Sequence, residues 1–224
     1  MLTTTSRRAI GVAGSAMLAA AGFGCVSLLV GLDRVGPFDS AIIAAVQSTE
    51  SAGLTRLAEA LSLLGSTGPV IALALLIAVV LFVKLGHRLE LMLFAAALGG
   101  AAVWNRLLKA AFQRPRPDIH PLVAETGYSF PSGHTMAAFA LYGAVLYLFW
   151  RHVPGKAGRS ALIAACALPA AGIAVSRIYL GVHYPSDILG GLLAGGAWLG
   201  LCVCVYKRRS GQRNGHSSEQ REAA

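Results

Sequence analysis

Apolar runs alternate with short polar stretches along most of the chain. The runs cover about residues 9–32, 69–83, 89–108, 133–150, 161–176 and 187–205. Runs of this kind are long enough, or nearly so, to cross a bilayer as helices. The pattern predicts an all-α polytopic membrane protein with six transmembrane helices in a bundle. Arg7-Arg8 ahead of the first run, and Ala19-Ala20-Ala21 within it, have the look of a signal peptide. The length of the run favours an uncleaved first helix instead. Residues 33–66 are mixed, with Asp33, Arg34, Asp39, Glu50, Arg56 and Glu59. Short amphipathic helices are expected around 38–47 and 54–64, at the membrane surface or tucked under the bundle. Gly65-Ser66-Thr67-Gly68-Pro69 punctuates the start of the second span. Residues 1–206 form one integral-membrane domain, and 207–224 a basic tail expected to be disordered.

Composition agrees. The chain is 55% hydrophobic and 13% charged, with a mean hydropathy of +0.62, which excludes an ordinary soluble domain. A net charge of +9 raises the question of nucleic acid. The basic residues, however, lie mostly at the ends of apolar runs, as membrane topology requires, so no nucleic-acid partner is expected. Cys25, Cys166, Cys202 and Cys204 all fall in apolar runs, and Cys202-Val203-Cys204 lacks the spacing and partners of a zinc site. Arg7, Arg8, Lys84, Arg88, Arg151, Lys156, Arg159 and the tail fall on one side of the six-span arrangement. Both termini are therefore expected in the cytoplasm of a cell-membrane protein. On that topology His87, His152 and His216 are cytoplasmic, and residues 109–134 and 177–187 share the outer face.

Those two outer segments carry the chemistry. Phe130-Pro131-Ser132-Gly133-His134 reads as a helix start: Ser132 is a good N-cap and Gly133 allows close approach of a ligand. The N–H groups and positive dipole end of such a helix suit an anion such as phosphate. Upstream, Lys109 is followed by six residues and then Arg116-Pro117. Downstream, Ser176-Arg177 is followed by His183, and Asp187 lies four residues beyond that. Three cations, two histidines and one carboxylate thus meet at the outer ends of four spans.

This arrangement resembles the signature of the type 2 phosphatidic acid phosphatase (PAP2) superfamily: Lys-x6-Arg-Pro, Pro-Ser-Gly-His and Ser-Arg-x5-His-x3-Asp. All three motifs are matched, by Lys109 with Arg116-Pro117, by Pro131 to His134, and by Ser176-Arg177 with His183 and Asp187. The apolar spans put the chain with the membrane lipid phosphatases of that superfamily. The resemblance implies His183 as nucleophile, Asp187 as its orienting carboxylate and His134 as the acid and base for the leaving group and water. It implies Lys109, Arg116, Ser132, Gly133 and Arg177 as the phosphate cradle.

The same roles make physical sense. Phosphoryl transfer needs positioning and neutralisation of developing charge, and clustered cations supply both without a metal or other cofactor. The substrate class implied is a phosphorylated lipid: undecaprenyl pyrophosphate, phosphatidylglycerol phosphate or phosphatidic acid. A lipid-binding or transport protein on the same fold would not need His183 with its own carboxylate. Phosphotransfer to a lipid or sugar acceptor would use the same residues as hydrolysis. Asp118, His120 and Glu125 are expected in a solvated loop. Asn105 and Arg106 are expected to support Lys109. Tyr128 and Phe130 are read either as lining the lipid entrance or as interface aromatics, and Tyr179 and Tyr184 as packing beside the nucleophile.

Overall fold

The computed structural model describes the backbone of residues 4–84, 88–118 and 120–222 and the side chains of 11–83, 88–118 and 120–210. His87 and the side chains of Arg7, Arg8, Lys84 and His216 lie outside these. The elements run α1 (Thr4–Gly31), α2 (Gly36–Gln47), α3 (Ala52–Leu64), α4 (Thr67–Val79), α5 (Arg88–Phe112), α6 (Gly133–Phe149), α7 (Lys156–Tyr179) and α8 (Pro185–Glu222). A π-helical segment, Val80–Lys84, extends α4, and a short 3₁₀ turn, Trp150–His152, follows α6. Among the described residues there is no strand.

Five helices are long and apolar enough to cross a membrane alone: Gly11–Gly31, Arg88–Phe112, Gly133–His152, Lys156–Tyr179 and Pro185–Ser210. The second expected span is different. Thr67–Val83 reaches only about 25 Å at helical rise, short of a hydrocarbon core of about 30 Å. It passes as a span only together with α3, from which it is bent by 54°. The sixth candidate span is therefore the bent pair of α3 and α4 taken together. α8 also differs from expectation. Its backbone continues to Glu222, through the residues expected to form a disordered tail. No proline interrupts that segment, although Gly211, Asn214 and Gly215 within it lower its helix propensity.

Small residues bring the helices together. Without a hydrophobic driving force inside a bilayer, helix contacts depend on close packing, which small residues permit. α8 presents Gly191 to the start of α6, where an added Cβ would lie 2.8 Å from the Ser132 carbonyl oxygen. Gly195 faces Met136 and Phe139 farther down the same contact. Gly196 meets Ala19 and Gly200 meets Ala16, so α1 lies antiparallel along α8. On α5, Gly100 leaves room for the Trp198 indole, whose N–H donates to the Ala96 carbonyl at 3.1 Å. At the end opposite the motifs, Glu90 Oε1 accepts from Arg151 (2.5 Å) and the Tyr206 hydroxyl (2.8 Å), tying α5, the turn after α6 and α8.

α2 and α3 form a short hairpin under the other end of the bundle. Pro37 starts α2 and Ser51 caps α3. Tyr179, at the last turn of α7, holds the hairpin. Its hydroxyl receives the Ser51 N–H (3.1 Å), lies 3.0 Å from Thr55 Oγ1 and donates to the Ser51 carbonyl.

The α6–α8 contact can be tested by adding one methyl group. Gly→Ala in a helix ordinarily gains about 1 kcal/mol. Gly99→Ala, whose Cβ meets nothing within 4 Å, should keep that gain. Gly191→Ala forces a methyl against backbone, and overpacking of this kind costs about 1–3 kcal/mol. Thermal unfolding in detergent should therefore show Gly99→Ala at or above the parent and Gly191→Ala below it. Equal midpoints for the two would contradict the packing described.

Candidate active site

α5 ends, α6 begins, α7 ends and α8 begins at the same end of the bundle, so the three motifs converge. Gln113, at φ 48°, turns the chain out of α5 in the left-handed conformation. The run Arg114-Pro115-Arg116-Pro117 that follows is extended, because a residue before proline avoids the helical region. Ser129 fastens the returning limb of the loop to this run. Its N–H donates to the Arg114 carbonyl (2.9 Å) and its hydroxyl to the Pro115 carbonyl (2.8 Å).

α6 starts as expected. Ser132 is its N-cap, accepting from the Thr135 N–H at 3.4 Å and the Thr135 hydroxyl at 3.0 Å. The Ser132 N–H donates to the Asp187 carbonyl at 3.0 Å, which joins the second and third motifs directly. Gly133 has no room for a side chain: a Cβ would lie 2.9 Å from Asn105 Oδ1. Asn105 does not support Lys109 as expected. Its amide donates to the Pro131 carbonyl (3.1 Å) and so positions the Ser132 loop. The His134 ring packs on Gly65 at the end of α3, 3.2 Å from where a Cβ would stand.

His183 is buried and sits in the turn between α7 and α8. Its Nδ1 lies 3.2 Å from Asp187 Oδ2, and its Nε2 lies 3.3 Å from Arg116 Nη1. A guanidinium can only donate. Nε2 must therefore carry the lone pair, and the ring proton sits on Nδ1, facing the carboxylate. Burial pushes His183 down to about 4, although the hydrogen bond and charge of Asp187 pull the other way. The ring is thus neutral at pH 7.

The cations are held in different ways. Arg116 donates to the carbonyls of Gly127 (3.0 Å), Thr126 (2.9 Å) and Val182 (2.9 Å), so it is a fixed charge beside His183. Arg177 is buried. Its two terminal nitrogens are taken by the Ser62 hydroxyl of α3 and by Glu125 Oε1 (2.7 Å). Its Nε is buried without a partner. Lys109 is within electrostatic reach of Arg116, Glu125, Asp187 and Arg177, and His134 of Arg177, Glu125, His183 and Lys109. The structure therefore brings all eight expected site residues together. Among the described residues, no group of three or more His, Cys, Asp or Glu side chains is arranged to hold a metal.

Besides Asn105, four residues in or behind this site were missed or misread in the sequence. Glu125, expected in a solvated loop, is ion-paired with Arg177. Burial alone would raise its carboxyl, but Arg177 and Arg116 outweigh this and hold it below the usual range. Ser62 reaches Arg177 from the amphipathic helix. Arg114 and Asp39 lie behind Asp187, and Arg114 stacks on the Tyr184 ring at 4.0 Å. Phe130 is buried against Phe23 and Phe112 and faces neither lipid nor water. His120 is exposed and pairs with Glu50 at 3.0 Å. A cavity of about 500 Å³ opens between α1, α2 and the Arg114 segment, and none of the eight motif residues lines it.

The whole is a polytopic helical protein with a cationic, histidine-bearing site at one end of its bundle. The chain belongs to the PAP2 superfamily, whose profile matches residues 90–210, more than half of the sequence and all of the motif residues. A phosphatidylglycerophosphatase B of Bacillus subtilis is 37% identical over 105 residues, covering 46% of this chain and 52% of that protein. A lipid A 1-phosphatase of Rhizobium johnstonii is 36% identical over 115 residues, covering 47% of this chain and 43% of that protein. The matches thus span about half the length of these relatives. The crystal structure of a transmembrane PAP2-type phosphatidylglycerolphosphate phosphatase from Bacillus subtilis superposes with a TM-score of 0.76. It is 27% identical, and the superposition covers 84% of this chain and 94% of that one.

The turn that presents His183 depends on Gly181, which has φ 70° and no space for a Cβ, since the His120 carbonyl oxygen would lie at 2.4 Å. A left-handed conformation costs a non-glycine residue about 1–2 kcal/mol, and the clash adds to it. Gly181→Ala should therefore lower the unfolding midpoint more than Gly127→Ala does. Gly127 is also left-handed but open around its Cα. The comparison requires only thermal unfolding of the two variants in detergent.

Proposed function

We propose that this protein is a metal-independent lipid phosphate phosphatase that works through a phosphohistidine, with phosphatidylglycerol phosphate the first candidate substrate. The observation that carries this reading is the orientation of His183: Nδ1 toward Asp187, lone pair on Nε2 toward the cations. A phosphate-binding or transport site needs the cations but not a neutral, buried imidazole with its own carboxylate.

In this reading Lys109, Arg116 and Arg177 surround the phosphate oxygens. The unpartnered Arg177 Nε, the Ser132 hydroxyl and the Gly133 N–H supply donors. His183 Nε2 attacks phosphorus and the bond to the leaving oxygen breaks. Asp187 stabilises the positive ring that results, and His134, which takes up a proton together with the anionic substrate, passes it to the leaving oxygen. Water then attacks the phosphohistidine as His134 takes its proton. The P–N bond breaks, its electron pair returns to His183, and inorganic phosphate leaves.

Phosphatidylglycerol phosphate leads because the Bacillus subtilis relatives, in sequence and in structure, carry that name. Undecaprenyl pyrophosphate and phosphatidic acid complete the panel. Purified protein in chelator should release phosphate from at least one of them. An acid-labile, base-stable phosphoryl adduct should form in the parent and not in His183→Ala. His183→Ala should lose on the order of 10⁴-fold or more in turnover, and Asp187→Asn about 10²–10⁴-fold. A magnesium requirement would overturn the cation cradle. Label that survives in His183→Ala and vanishes in His134→Ala would exchange the two histidine roles. Label passed to an added alcohol and not to water would make the protein a phosphotransferase.

The site is proposed to face away from the cytoplasm, with both termini on the cytoplasmic side of the cell membrane, because the basic turns lie at the other end of the bundle. Reporter fusions after residues 120 and 155 should report opposite faces, with residue 155 cytoplasmic. The same face for both would exclude this topology.

A further inference from the structure

Behind the catalytic couple lies a second, buried set of charges that none of the three motifs contains. Asp187 uses Oδ2 for His183 and for the Tyr184 N–H (2.9 Å). Its Oδ1 accepts from Arg114 Nη1 at 2.7 Å. The same guanidinium donates to the Ser186 hydroxyl (2.7 Å) and, through Nη2, to Asp39 Oδ2 (2.8 Å). Asp39 comes from α2, far off in sequence. Its Oδ1 receives the Ser186 N–H (2.8 Å) and its Oδ2 the Ser186 hydroxyl (2.7 Å). Asp39, Ser186 and Asp187 are all buried.

Two consequences follow from charge and geometry. Asp39 caps α8 from another helix, since Ser186 is in the first turn and its N–H has no partner within α8. It thereby fixes the turn that carries Asp187. Arg114, shared between two carboxylates, fixes the rotamer of Asp187 without cancelling its charge. With Asp39 as counterion, the trio keeps a net charge of −1 next to His183. Without Asp39, Arg114 would have Asp187 as its only carboxylate partner, and the charge available to His183 would fall.

We propose that Arg114 and Asp39 are positioning residues for the His183–Asp187 couple, acting as a buried Asp39–Arg114–Asp187 relay that both aims the carboxylate and sets its charge. The proposal rests on the phosphatase reading above, and the test separates the two. Several groups face the couple. Arg116, Arg177 and His134 act on His183, and Lys109, Arg116 and Tyr184 act on Asp187. All of them remain in the variants below.

The readout is the pH profile of kcat/KM with the best substrate of the panel. His183 must be neutral to attack, so activity falls as pH drops through the value at which the ring charges. Arg114→Gln leaves Asp187 without its cation, favours charged His183 and should move the acid limb upward by about 1 pH unit. Asp39→Asn keeps a hydrogen-bonding side chain but removes the opposing charge, so its limb should move down. Arg114→Lys keeps the charge but replaces a fork by a point donor that cannot bridge two carboxylates. Its limb should stay with the parent while kcat drops about 10- to 100-fold, as when a partner that orients a metal-ligating histidine is lost, with KM near the parent's. Profiles that keep the parent's limb in all three variants and differ only in amplitude would reduce these residues to scaffolding and overturn the proposal. An upward limb in Asp39→Asn would overturn it as well. If Arg114→Gln does not survive purification, Arg114→Lys and Asp39→Asn still decide through kcat against KM and through the direction of the limb. Failure of the parent protein to release phosphate from any substrate would instead overturn the phosphatase reading.

Discussion

The arrangement depends on holding like charges close together where water is scarce. Lys109, Arg116 and Arg177 repel one another, and burial at the end of a helical bundle deepens the cost of each charge. Each is tolerated through a separate set of partners. Arg116 is wrapped by three carbonyls, Arg177 is held by Ser62 and Glu125, and Lys109 lies in the field of Glu125 and Asp187. These partners come from α3, the loop after α5, the turn before α8 and the first turn of α8. The site therefore exists only when the hairpin of α2 and α3 and the long loop are docked on the bundle.

Parts of this were legible in the sequence for physical reasons. A helix end announces itself through its cap and its polar residues, so Ser132, His134, His183 and Asp187 could be placed at span ends from spacing alone. Partners drawn from distant segments leave no such local mark. Asp39 looks like any acidic residue in the first turn of a surface helix, where the dipole favours it. Only the fold shows that it faces the first turn of α8. Arg114 had a local signal: in an extended Arg-Pro-Arg-Pro run, residues two apart point to the same side. Arg114 on Asp187 and Arg116 on His183 fit that rule. Glu125 was misread because a charged loop residue is usually solvated, and nothing nearby in the chain announces Arg177.

The membrane helices show the same division. Apolar length marked five spans directly. The sixth needed geometry, because α4 alone is short and continues through a π-helical segment after a bend from α3. That bend has a use in the site. It leaves Gly65 beside the His134 ring and turns α3 so that Ser62 reaches Arg177. A straight second span would carry Ser62 and Gly65 away from both.

The two hydrogen bonds on His183 also divide the work between neighbouring arginines. Arg116 faces the nitrogen that would attack, and three carbonyls hold all but one of its other donors, so it contributes a fixed field and a fixed direction. Arg114 faces the far side of the carboxylate and never meets the ring. One cation therefore biases the lone pair of His183, and the other governs how much negative charge stands behind its proton. In the proposed reaction an exchange of Lys109 or Arg177 would change the grip on phosphate, whereas an exchange of Arg114 would act on the imidazole itself. The separation follows from two prolines that keep the segment extended and from one aspartate on α2 that keeps Arg114 from neutralising Asp187.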